Sequence, residues 1–186
     1  MTVPADLDRR FRDTALRSGL LDAAYDVIDS ELGPLLAAVT DRGLIRISYD
    51  PDPERELDTL ARLGGPRVLR SPRALDETRR ELDAYFAGKR TAFALDLDLR
   101  SVSGFTLKVL NELGKVPYGR TATYGELAER AGNPRAARAV GMVMNRNPIP
   151  IVLPCHRIVG SSGELVGYGG GLERKERLLR LEGAIL

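Results

Sequence analysis

Thr123-Tyr124-Gly125-Glu126-Leu127-Ala128-Glu129-Arg130 leads through Ala131-Gly132-Asn133 into Pro134-Arg135-Ala136-Ala137-Arg138-Ala139-Val140-Gly141-Met142-Val143-Met144. Thr123 and Glu126 have capping-box spacing, which opens a helix running to about Arg130. Ala131-Gly132-Asn133 reads as a tight turn. Asn133 offers a cap for the next helix, and Pro134 fits its first position. Two short helices across a three-residue turn make a helix-turn-helix. Ala136, Ala137, Ala139 and Gly141 are small for a surface helix and let it approach another backbone closely. Arg135 and Arg138 share a face. Such arginines suit phosphate contact, or filling a gap in a base stack. Taken alone, the same residues also fit an intramolecular helix pair with two solvated arginines. Met142 and Met144 read as packing residues.

Downstream, Asn145-Arg146-Asn147-Pro148-Ile149-Pro150 is forced into an extended path by its prolines. It runs into Ile151-Val152-Leu153-Pro154-Cys155-His156-Arg157-Ile158-Val159, where the only cysteine of the chain sits beside its only histidine. A cysteine is a strong nucleophile as thiolate, and a nearby imidazole is a common way to make one. The apolar flanks place the pair where a buried strand ends in a turn. A catalytic histidine needs a third group to fix its tautomer. Glu164, after the turn Ser161-Ser162-Gly163, and Glu182, at the end of the last helix, are both open as that group. Val166-Gly167-Tyr168-Gly169-Gly170-Gly171-Leu172 precedes the last helix, which begins near Glu173. It lacks the Lys-Ser/Thr ending of a phosphate-binding loop and the spacing of a dinucleotide fingerprint. Its glycines can close backbone N–H groups over a flat ligand, with Tyr168 adding a face or a hydroxyl.

Upstream, Tyr25–Asp29 alternates like a strand. Leu35–Val39 and Leu44–Tyr49 flank Thr40-Asp41-Arg42-Gly43, a hairpin turn. Glu54–Leu63 reads as a helix. Ser71 and Pro72 cap another, with Leu75, Thr78, Leu82, Tyr85 and Phe86 at helical spacing and Gly88 as its stop. Phe93, Leu95, Leu97 and Leu99 alternate as a further strand. This half shows no catalytic constellation. A helix follows at about 104–114, striped by Phe105, Val109, Leu110 and Leu113.

The chain has 186 residues and a net charge of +2, unevenly spread. Residues 1–100 carry 16 Lys/Arg against 19 Asp/Glu, and residues 101–186 carry 12 against 7. A polyanion would therefore meet the second half. No apolar run is long enough for a membrane span, and the N-terminus lacks the pattern of a secretion signal. One cysteine and one histidine leave neither an internal disulfide nor a structural zinc site.

Several of these segments together resemble the O6-alkylguanine-DNA alkyltransferases, the methylated-DNA–protein-cysteine methyltransferases. They are Pro154-Cys155-His156-Arg157, Thr123–Ala128, Gly132–Gly141, Asn147-Pro148-Ile149-Pro150, and Gly169-Gly170-Gly171-Leu172 with Lys175-Glu176 and Leu181-Glu182-Gly183. The resemblance is specific over about 103–183 and weaker over 23–100. It implies an α/β fold: an extension 1–22, a small N-terminal α+β domain with a short sheet (23–100), and a mainly helical domain (101–186). That last domain holds the helix-turn-helix and the reactive cysteine. The implied activity is irreversible, single-turnover transfer of an alkyl group from O6-alkylguanine, with O4-alkylthymine as a further substrate, to Cys155. His156 would activate the thiol through a water, oriented by Glu182. Tyr124, at the DNA, would help rotate the phosphate and protonate N3 of the leaving base. Lys175 and Asn147 would support the site. Arg138 would replace the extruded base, with Arg135, Ala136, Ala137 and Gly141 also at the DNA. Tyr168, Gly169 and Gly170 would line the pocket. Gly169 stands where the family often has a serine, so that hydroxyl contact is missing. The implied partner is duplex DNA with alkylated bases, met in the cytoplasm by a monomer that can cluster on DNA. No cofactor, metal or membrane is implied.

Two rivals share parts of the pattern. A cysteine hydrolase would use Cys155 and His156 but leave the Arg138 helix without a role, and it would turn over. A helix-turn-helix regulator would keep its DNA affinity without Cys155.

Overall fold

Thr40 and Gly43 close the hairpin between β2 (Leu35–Thr40) and β3 (Gly43–Tyr49), as the turn residues require. With β1 (Ala23–Ile28) and β4 (Val68–Arg70) these strands form a sheet of order β3-β2-β1-β4. Only the β1–β4 pairing is parallel. The computed structural model describes residues 4–186, without the side chains of Ala5, Arg9, Asp13 and Pro53. The sheet belongs to the first of two compact units, the chain up to Ala84 plus Ala94–Asp98. The second unit is Tyr85–Phe93 with Leu99–Leu186. No described helix is long and apolar enough to cross a membrane.

In the first unit, α1 (Ala5–Arg17) lies in the N-terminal extension, where Arg12 donates to the Arg70 carbonyl. α2 (Pro53–Leu63) is capped by the Asp52 carboxylate and sets Leu60 and Leu63 against Leu36, Ala38 and Ile45 of the sheet. A two-toothed Arg46–Glu56 ion pair ties β3 to α2. The structure adds one element and departs from two expectations. The three-residue β4 carries no pattern and was not anticipated. Ser71 does not cap an α-helix; its N–H bonds back to the Tyr25 carbonyl, and Pro72–Leu75 is a 3-10 turn before α3 (Asp76–Phe86). Residues 93–99 form no strand. They touch the edge of β3 through a single bridge, Leu44 with Leu97, where Leu44 N–H donates to Asp96 and Asp98 N–H to Leu44.

That bridge depends on Gly43. Its φ is +131°, and an added Cβ would lie 2.2 Å from the Asp96 carbonyl oxygen. Gly88, at φ +66°, faces open space. We expect Gly43→Ala to cost about 2 kcal/mol or more and Gly88→Ala about 1 kcal/mol in urea unfolding. Equal costs would show that the approach of Asp96 contributes nothing.

The second unit is mainly helical. α4 (Gly104–Leu113) buries Val109, Leu110 and Leu113, as its stripe requires. α5 (Tyr124–Arg130) starts with the expected capping box of Thr123 and Glu126. α6 (Ala137–Asn145) starts three residues later than expected, with Ala136 at its N-cap. Asn133 is spent on α5 instead: its N–H bonds back to Ala128, past Gly132 at φ +85°. Met144 is buried, but Met142 is 59% exposed, so it is not a packing residue. β5 (Ala122–Thr123) and β6 (Ile158–Val159) make a two-residue parallel pair. This pair registers the start of α5 beside the cysteine segment. α7 (Leu172–Leu181) follows the glycine loop.

Candidate active site

Cys155, His156 and Arg157 form one 3-10 turn that precedes β6. The turn thus leads into the strand, the reverse of the order expected. Pro148, Pro150 and Pro154 deny the approaching segment the N–H groups of a ladder. Asn147 shapes that segment instead. Its Oδ1 accepts from Ile149 N–H at 3.1 Å and its Nδ2 donates to the Leu153 carbonyl at 2.7 Å. Between them Ile151 is held at φ +76°, fully buried, a conformation that costs a β-branched residue about 1–3 kcal/mol. Surrounding bonds over-determine it, because Leu153 N–H also closes on Ile149.

α7 supplies the other wall. Lys175, Leu178, Leu179 and Glu182 recur at i, i+3, i+4 and i+7, so all four fall on its buried face. Lys175 Nζ donates to the carbonyls of Ile158 (2.6 Å), Val166 (2.8 Å) and Gly167 (3.4 Å). It thereby pins the glycine loop to the strand that follows the cysteine. Burial brings its ammonium down to about 8, and the Cys155 charge opposes that shift. The Tyr124 hydroxyl donates to the same Val166 carbonyl at 3.1 Å.

Glu182 is the hub. Its Oε1 accepts from His156 Nε2 at 2.9 Å, Arg157 Nη2 at 2.8 Å and the Tyr85 hydroxyl at 2.6 Å. Its Oε2 accepts from Arg157 Nε at 2.9 Å and Gly119 N–H at 3.3 Å. Burial pushes this carboxyl up, but the bonds from His156 and Arg157, the His156 charge and the Tyr85 bond bring it down to about 2. Burial pushes the His156 imidazole below its ordinary value, against the pull of Glu182. His156 Nδ1 is buried and has no hydrogen-bond partner among the described residues. Burial also pushes the Cys155 thiol up to about 11, with Asn147, its own N–H, Lys175 and Tyr168 pulling the other way.

Of the residues singled out in the sequence, Asn147, Lys175 and Tyr168 all act on the Cys155 thiol, and the Cys155 charge acts on Tyr124. His156 follows the cysteine directly and is bonded to Glu182. Glu164 is elsewhere: exposed, it accepts from the N–H and hydroxyl of Ser162. Arg135 and Arg138 project from the helix pair into solvent, while Ala136, Ala137 and Gly141 are half-buried. Gly169 is exposed and Gly170 half-buried; the Gly170 carbonyl accepts from Arg174. Sequence reasoning missed Arg157, a residue only 6% exposed, whose guanidinium also donates to the Val116 carbonyl and lies over the Tyr118 ring. It missed Tyr85 as well. The one available signal was the arginine following the histidine.

The DNA-binding domain model of 6-O-methylguanine DNA methyltransferase matches residues 104–184, and the model of its ribonuclease-like domain matches residues 23–99. The chain belongs to the 6-O-methylguanine DNA methyltransferase family. A methylated-DNA–protein-cysteine methyltransferase of Mycobacterium leprae is 45% identical over 160 residues, covering 83% of this chain and 89% of that one. One from Methanosarcina acetivorans is 39% identical over 167 residues, covering 86% and 98%. Among solved structures, the Mycobacterium tuberculosis OGT in complex with DNA is similar at TM-score 0.76 and 41% identity, covering 87% of this chain and 93% of that one. The family fold is the α/β arrangement described above, with a small sheet followed by a helical part.

Proposed function

We propose that the chain repairs duplex DNA by taking the alkyl group of O6-alkylguanine onto Cys155, once and irreversibly. The observation that carries this reading is a buried lone cysteine followed by a histidine whose Nε2 is bonded to a buried carboxylate. Residues 101–186 hold the DNA and accept the alkyl group. Residues 1–22 lie outside both family matches and have no part in this reading.

The chemistry follows from the charges. A thiol near 11 leaves roughly one molecule in ten thousand as thiolate at neutral pH. A base must therefore take the proton as transfer occurs. Ionised Glu182 can only accept, so Nε2 of neutral His156 carries a proton and the lone pair lies on Nδ1. In our reading a water links Nδ1 to the Cys155 Sγ and relays the thiol proton. Sγ attacks the alkyl carbon, the C–O6 bond breaks, and its electron pair restores the O6 carbonyl of guanine. The Tyr124 hydroxyl gives a proton to N3, so the purine leaves neutral. Burial, and next the Cys155 charge, hold that phenol above its ordinary value. It therefore donates only where negative charge develops. The product is a thioether, which neither water nor a thiol reverses, so each molecule reacts once. No cofactor enters this scheme.

The target base must leave the stack to reach a buried thiol. We assign Arg138 to the space it vacates, and Arg135 to phosphate. Ala136, Ala137 and Gly141 let α6 sit close in a narrow groove. Tyr168, Gly169 and Gly170 wall the pocket for the flipped base. The protein acts as a monomer, in the cytoplasm, where its cysteine stays reduced.

Intact mass after mixing with a duplex containing O6-methylguanine tests this directly. The protein should gain about 14 Da, one methylene, at the peptide holding Cys155. Cys155→Ala should gain nothing. An O4-methylthymine duplex run in parallel tests the second substrate. Ester turnover with no stable adduct would favour a hydrolase, and an adduct mapped elsewhere would sink the assignment.

A further inference from the structure

Tyr85 lies in the stretch matched by the ribonuclease-like domain model, yet it belongs to the same compact unit as the cysteine. Its side chain is fully buried, at 0% exposure. Its ring is held by Phe86 (centroids 5.5 Å apart), Phe93 (5.2 Å) and Tyr118 (6.1 Å), two of these edge-on. The hydroxyl makes the shortest bond that Glu182 receives, 2.6 Å to Oε1. That oxygen is the one His156 also uses.

We propose that Tyr85 is a positioning residue of the alkyl transfer, which holds Glu182 Oε1 in place and limits how strongly that oxygen attracts the proton of His156. The inference rests on His156 being the base of the proposed reaction. A carboxylate oxygen shared by three donors is a weaker acceptor for each of them. An over-strong carboxylate would keep His156 as imidazolium, which has no lone pair to offer. The hydroxyl suits this task because it stays protonated: burial, then the charge and bond of Glu182, push it far above the usual phenol range. The remaining charges around the pair are fixed in number. Arg157 and Lys175 both disfavour the imidazolium, Glu182 favours it, and Cys155 sits next along the chain. Arg157 and Tyr118 face Tyr85 itself. Of the Glu182 donors, Tyr85 is the one whose bonding group a conservative substitution removes while the ring stays.

The test is the pH profile of single-turnover transfer from free O6-benzylguanine, read by intact mass, for the full chain. That substrate removes DNA binding from the measurement. Tyr85→Phe should move the acid limb of the rate upward by about half a pH unit or more, and slow transfer about three-fold or more near that limb. Phe93→Leu is the control for packing: it loosens the ring cage and should lower the melting temperature without moving the limb. If Tyr85→Phe lowers the melting temperature and leaves the limb where it was, or moves it down, Tyr85 is only a core residue and the proposal is overturned. If the parent protein takes no adduct at Cys155, the proposed reaction itself is wrong, a result that the mass of the unmodified chain separates from any effect of Tyr85.

Discussion

Glu182→Gln should slow single-turnover transfer by about 10²–10³-fold while duplex binding falls far less. The reason lies in the state that forms during transfer. In the proposed reaction His156 takes a proton in a site with no exposed surface, and Glu182 is the only anion among the described residues bonded to it. At an effective dielectric near 20, a pair of unit charges about 4 Å apart attract by about 4 kcal/mol. Gln keeps an acceptor oxygen for Nε2, so the tautomer survives, but the charge is gone. The imidazolium becomes harder to form and His156 becomes a weaker base, so the acid limb that His156 sets moves down while formation of the thiolate needs a higher pH. Arg157 is left as a buried cation without its two-toothed partner, which costs about 3–5 kcal/mol of stability. Rates therefore belong at a temperature where circular dichroism shows the variant folded, and duplex binding is the internal control, because a partly unfolded chain loses both. Glu164→Gln, at an exposed turn residue bonded to Ser162, should match the parent. Parent-like rates for Glu182→Gln at neutral pH would remove Glu182 from the activating unit.

Residues close in sequence were the legible ones. The Thr40–Gly43 turn, the Thr123–Glu126 capping box and the stripe of α4 each follow from local chemistry, and each is found as read. The cysteine, its histidine and the flanking motifs were equally plain. Residues alone left Glu164 and Glu182 open. The family resemblance chose Glu182, and the buried face of α7 supplies the physical reason, since Lys175 and Glu182 are separated by two helical turns. What stayed hidden required partners far along the chain. Tyr85 and Glu182 are 97 residues apart, and nothing in the periodicity of α3 distinguishes Tyr85 from the core residues beside it. The alternation at 93–99 misled because period two marks an extended chain, not a paired one; a single bridge to Leu44 satisfies it. Met142 misled because α6 is exposed along one side, and apolar character alone does not say which side.

Arg138→Ala should reduce repair of O6-methylguanine in duplex DNA by about 10²-fold and leave transfer from free O6-benzylguanine within about two-fold. Arg138 is exposed on the first turn of α6, so its loss leaves no cavity and no unpaired group among the described residues. Its expected work is outside the protein. Extruding a base costs a few kcal/mol of stacking and pairing, and a planar guanidinium can recover part of that by filling the gap. A free base has no stack to leave, so the same substitution has nothing to remove there. Arg135 gives the contrast. It precedes the N-cap of α6, is also exposed, and as a phosphate contact should change affinity and the salt slope by about one unit of charge, not the rate at saturation. The comparison is made at saturating DNA and fixed salt, with both substrates reported by the mass of the Cys155 peptide. Equal fractional losses on duplex and free base would place the defect in the active-site unit itself. A loss on duplex alone that vanishes at higher DNA concentration would make Arg138 a second phosphate contact. Only a duplex-specific loss that persists at saturation assigns it to the space left by the base.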